Sequence, residues 1–69
     1  MKKFSENLKK LRNEHQVLQS TLAEYCGVST RQIMRYEQGS SEPTLSVLIT
    51  IADFFNVTLD YLVGRSDDR

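Results

Sequence analysis

Sixty-nine residues make one domain, and a chain of this length hides only about 60% of its unfolded surface, so its core is small. Formal net charge is zero, no apolar run approaches the roughly 20 residues of a membrane span, and Met1-Lys2-Lys3-Phe4 turns polar too soon for a signal-peptide core. The single cysteine excludes an internal disulfide and fits a reducing, cytoplasmic setting.

In chain order, Phe4, Leu8, Leu11 and His15 recur on one helical face and predict a first helix with Ser5 as its cap. Leu22, Ala23 and Cys26 form the inner face of a short second helix that Gly27 ends. Ser29-Thr30-Arg31-Gln32 matches a capping box, a Ser cap with Gln three residues on, and starts a third helix that Gly39 stops. Thr44, after Pro43, caps a fourth helix in which Leu45, Leu48, Ile49, Ala52 and Phe55 share a face, and Asn56 sits where a left-handed residue is wanted. Thr58 caps a fifth helix with Asp60 in its first turn, where the helix dipole favours an anion. Leu59, Leu62 and Tyr61 close the core and Gly64 ends the helix. No stretch alternates with period two. The expectation is an all-α, five-helix domain over residues 1–66, followed by a short tail at 67–69.

The functional signal lies in the second and third helices. Only Gly27-Val28-Ser29 separates them, and so short a turn forces the sharp crossing of a helix-turn-helix. Ala23 is small where the helices must approach, while Val28, Ile33 and Tyr36 are apolar where the second rests on the first. At 100° per residue, Thr30, Arg31, Met34, Arg35 and Gln38 cover the opposite face of the third helix, with two arginines and no acid. Arg pairs bidentately with the O6 and N7 edge of guanine, and Thr and Met fit a thymine methyl. Charge is distributed accordingly. Residues 1–41 hold seven Lys/Arg against four Asp/Glu, and residues 42–69 hold two against five, so one end suits a polyanion and the other does not.

Leu22-Ala23-Glu24-Tyr25-Cys26-Gly27-Val28-Ser29, Ile33, Arg35-Tyr36-Glu37-Gln38-Gly39 and Glu42-Pro43 together resemble the lambda-repressor-like (Cro-type) helix-turn-helix family. The match runs from about Phe4 to Gly64. The resemblance implies a compact five-helix fold, duplex DNA as partner, a palindromic operator bound by a homodimer, and a transcriptional role, most often repression. Carried over by position, it implies base reading by Gln19, Thr30, Arg31, Met34 and Arg35, and phosphate contacts from Gln19, Gln38, Gly39, Ser40 and Ser41. It also implies a partly buried ion pair between Arg12 and Glu37. Leu18 departs from the family's Ser or Thr cap, and Thr21-x-x-Glu24 offers a later helix start. The earlier start is favoured because its spacing matches the family. Ser40-Ser41 stands where basic residues are common, and His15-Gln16 lacks the helix-ending Gly.

Other readings are weaker. A lone His15 builds neither a metal site nor a triad, no nucleophile–base set or phosphate-cradling loop exists, and no enzyme, metal or cofactor is expected. Cys26 reads as a small core residue and Asp67-Asp68 as an acidic tail. Val47, Thr50 and Phe54 are expected opposite the core face of the fourth helix. There an exposed Phe54 would mark a dimer or partner surface on the fourth or fifth helix, or pack on the tail. The competing function is a protein-interaction module, such as an antitoxin or adaptor, with secondary DNA binding. Zero net charge, Leu18, the missing basic pair at Ser40-Ser41 and an exposed Phe54 motivate it.

Overall fold

Short polar side chains define where most of the helices begin. In the computed structural model, which describes residues 1–69, five helices follow one another: α1 (Lys2–Glu14), α2 (Gln19–Cys26), α3 (Thr30–Gln38), α4 (Leu45–Phe55) and α5 (Leu59–Val63). The caps of α3, α4 and α5 are Ser29, Thr44 and Thr58, whose hydroxyls accept from the amides of Gln32, Val47 and Tyr61. Each satisfies one orphan first-turn donor. Helices α2 to α5 all stop on a left-handed residue, Gly27, Gly39, Asn56 and Gly64 in turn. The all-α, five-helix expectation therefore holds.

Two local expectations are corrected. Ser5 does not cap α1. The helix starts a turn earlier, behind Met1, and Ser5 is buried within it. Its hydroxyl donates to the Tyr36 carbonyl at 2.6 Å, because a buried hydroxyl must find a partner and α3 supplies one. Gln32 does not complete the capping box. Its side-chain amide runs forward to Ser41. Where α1 lacks a glycine, Gln16 itself takes positive φ, 55°, a conformation that costs a non-glycine residue about 1–2 kcal/mol.

Helix α4 is turned relative to its expected face. Leu48, Ile51, Ala52 and Phe55 point inward, while Leu45 and Ile49 are 63% and 44% exposed. Ser46, Thr50 and Asp53 form a polar stripe along the helix, and the residues packed inward toward α2 and α5 are those opposite it, whereas Leu45 and Ile49 border the polar stripe. Phe54 is half-buried rather than free. Its ring lies edge-on to Tyr25 at 4.8 Å and to Phe55 at 4.9 Å, bridging α4 to α2. Val47 and Thr50 are half-buried too.

The core joins all five helices through Phe4, Leu8, Leu11, Leu22, Ile33, Ile51 and Leu62, each essentially without exposed surface. α1 packs on α3 and α5, and α2 on α3 and α4. Asn7 donates its amide to the Tyr61 and Leu62 carbonyls at 2.8 and 3.3 Å, satisfying the open end of α5. The tail folds back: the Thr58 amide donates to the Arg69 carbonyl at 3.0 Å, the Arg69 guanidinium grips both Glu14 oxygens at 2.8 and 3.0 Å, and it lies over the Tyr61 ring. Those Arg69 hydrogen bonds hold the Glu14 carboxyl below its ordinary range. Cys26 is half-buried against the core, and burial pushes its thiol pKa up, which keeps thiolate scarce and the residue unreactive. No helix is long and apolar enough to cross a membrane.

Candidate nucleic-acid interface

Gly27 turns the chain between α2 and α3 with φ of 71° and open space around its α-carbon. Its amide and that of Val28 bond back to the Glu24 and Ala23 carbonyls. The chain re-enters helix behind Ser29, so only Gly27, Val28 and Ser29 separate α2 from α3, and the two helices pack on each other. Ala23, 2% exposed, is a small side chain of α2 buried in the core cluster that also holds Ile33 and Tyr36 of α3.

Helix α3 is strongly two-faced. Ile33, Tyr36 and Glu37 are buried, and Phe4 meets Tyr36 edge-on at 6.1 Å. Thr30, Arg31, Met34, Arg35 and Gln38 are all exposed. Neither Arg31 nor Arg35 takes part in an ion pair, so both guanidinium groups face solvent on one side of the helix. Five of the residues singled out by sequence thus share a single surface, and the buried half of α3 fixes its direction.

Glu37 is the hub behind that surface. Its side chain is 6% exposed, and Arg12 Nε donates to Oε2 at 2.6 Å while Nη2 reaches Oε1 at 3.2 Å. Arg12 Nη1 also donates to the Val17 carbonyl at 2.9 Å, and Gln19 Nε2 donates to Glu37 Oε1 at 3.1 Å. One carboxylate therefore ties α1, the α1–α2 turn and the start of α2 to the last turn of α3. Gln19 is held from behind by one amide hydrogen, with its carbonyl oxygen left as an acceptor.

Helix α2 begins behind Leu18, which is extended, 67% exposed and gives no side-chain cap. The earlier start is the observed one. Its first-turn amides are left to solvent or to an anion.

The α3–α4 loop lies along the flank of α3. The Ser40 amide and hydroxyl both donate to the Arg35 carbonyl, at 3.1 and 3.3 Å, and Gln32 Nε2 donates to Ser41 Oγ at 2.9 Å. Ser40 is in this way tied to the Arg35 carbonyl, Gly39 to the Tyr36 carbonyl and Ser41 to Gln32. Sequence reasoning missed the role of Gln32, because its partner Ser41 lies nine residues on in the next loop. It also missed the link between Gln19 and Glu37, which joins residues far apart in the chain.

Comparison with known proteins places this arrangement. A family profile described as "Helix-turn-helix" matches residues 8–62. An uncharacterized HTH-type transcriptional regulator, YqaE of Bacillus subtilis, is 40% identical over 67 residues, covering 96% of this chain and 58% of that protein. A transcriptional regulator from Listeria innocua superposes with a TM-score of 0.86 at 38% identity, over 88% of this chain and 57% of that one. The P22 c2 repressor, solved in complex with a synthetic operator, superposes with the same TM-score over 96% of this chain and 100% of its own; at 23% identity it speaks to fold alone. The chain thus spans somewhat over half the length of YqaE and of the Listeria regulator. From residue pattern, architecture and these likenesses together, the chain belongs to the lambda-repressor-like helix-turn-helix family.

Proposed function

We propose that this domain binds duplex DNA sequence-specifically through α3 and represses transcription. The observation that carries the reading is the outward surface of α3, where Thr30, Arg31, Met34 and Arg35 are exposed and both guanidinium groups are unpaired. A surface of that kind suits the major groove, with Arg31 and Arg35 on guanine edges and Thr30 and Met34 on thymine methyls. Gln19, held against Glu37, presents its carbonyl oxygen to base donors. Gln38 and the backbone amides of Gly39, Ser40 and Ser41 contact phosphates and set the register. The Arg12–Glu37–Gln19 network aims α3 at the groove. Two copies related by a two-fold axis place their α3 helices in successive major grooves about 34 Å apart, on a palindromic site. The regulators and repressors among the relatives support this reading by name.

Selection of binding sites from randomised duplexes, followed by footprinting and a salt titration, tests it. The expected result is a two-fold symmetric site bound by two chains, with affinity falling steeply as salt rises. Absence of duplex binding at low salt would favour the protein-interaction module instead.

A further inference from the structure

Gln32 lies on α3 at the border between the exposed surface and the core, half-buried, one turn before Arg35. Ser29 and Gln32 are spaced as a capping box, yet only half of the box forms: the Ser29 hydroxyl accepts from the Gln32 backbone amide at 3.0 Å. The Gln32 side chain instead spans to the α3–α4 loop and donates to Ser41 Oγ at 2.9 Å. A serine hydroxyl has one proton and two lone pairs. With a lone pair occupied by the Gln32 amide, Ser41 keeps its proton to donate, and accepting one hydrogen bond strengthens the next. A phosphodiester oxygen takes donors only. The same loop is tied a second time to the same flank, where Ser40 donates twice to the Arg35 carbonyl. The distance from the reading surface to the loop is thus set by a side-chain bond at residue 32 and a backbone anchor at residue 35.

We infer that Gln32 is a positioning residue for DNA binding: it fixes the Ser41 hydroxyl on the flank of α3 as a donor to a backbone phosphate and so sets the register of α3 in the groove. It touches no base and acts through Ser41. The inference rests on the DNA-binding reading above.

The test is a double-mutant cycle of Gln32→Ala and Ser41→Ala, read by equilibrium binding to duplexes that the unaltered protein recovers from a randomised library, with thermal unfolding followed in parallel. Each single variant should weaken binding about three- to tenfold, the loss of one hydrogen bond. The double variant should lose no more than either alone. Because neither side chain is charged, no counterion release is lost, and the slope of log Kd against log salt should stay as in the unaltered protein. All preferred bases should be retained. Additive losses, or losses that track a lower unfolding temperature alone, would overturn the inference. So would a Gln32→Ala variant that binds as tightly as the original. If Gln32→Ala fails to fold, Ser41→Ala in the exposed loop decides: unchanged affinity there overturns the proposal. Failure of the unaltered protein to bind any duplex would sink the DNA-binding reading as well, which separates that failure from this one.

Discussion

Replacing Arg12 by Met keeps most of the side chain's aliphatic bulk but removes the cation from Glu37. The variant loses both bonds to the carboxylate, at 2.6 and 3.2 Å, and the one to the Val17 carbonyl at 2.9 Å. Gln19 alone remains to solvate a side chain that is 6% exposed. Breaking a fully buried pair from one side costs about 3–5 kcal/mol, because the other charge is left without compensation. Arg12 is 18% exposed, so water reaches the vacated space in part, and the expected loss is about 2–3 kcal/mol. A core of this size supplies roughly 3–5 kcal/mol in all, so about half of the stability or more should go. Urea unfolding followed by helical circular dichroism should show the midpoint falling by half or more with the slope unchanged. Arg12→Met combined with Glu37→Met should recover most of the loss, since no buried charge is then stranded. A loss below about 1 kcal/mol, the range of a surface pair, would refute the idea that Glu37 is an internal hub.

Two further outcomes follow from the geometry. Gly27→Ala meets open space and should cost about 1 kcal/mol through its positive φ alone. Gly64→Ala adds a methyl that runs into the Cβ and Cγ of Lys3; chemical denaturation should rank it clearly below Gly27→Ala, and equal losses would mean that the end of α5 does not rest on α1. Glu14 has a folded pKa below its ordinary value because Arg69 hydrogen-bonds to it. Its contribution is present above the unfolded pKa of about 4.3 and fades as pH falls through the folded value. NMR titration of the Glu14 carboxyl carbon should give a lowered midpoint that returns to the ordinary range in Arg69→Ala; identical midpoints would show that the tail is not docked.

What could be read from residues alone follows the range of the physics involved. Caps at Ser29, Thr44 and Thr58, and stops at Gly27, Gly39, Asn56 and Gly64, depend on atoms within one helical turn, and they are where the sequence puts them. The polarity of α3 was legible because its two faces differ in chemistry as well as in pattern. The inward stripe of α4 was misassigned although the pattern carries it: the buried residues lie opposite Ser46, Thr50 and Asp53, while Leu45 and Ile49 border that polar stripe. Ser5 and Gln32 were misread for a different reason. Each has a local cap partner by spacing but bonds to a distant one, the Tyr36 carbonyl and the Ser41 hydroxyl. Leu18 departs from the usual cap chemistry, yet α2 still starts there, held by the Gln19–Glu37–Arg12 network that no local rule anticipates.

The account stands or falls on whether the exposed guanidinium groups of α3 read bases. The most direct measurement is the affinity of Arg35→Ala, beside the unaltered domain, for a set of operators that differ by one base pair at each position in turn. The account predicts a loss of about 1–3 kcal/mol on the preferred operator and loss of discrimination at one base pair per half-site, with the other positions still distinguished. A variant that ranks every operator as the original does, at the same affinity, would contradict it.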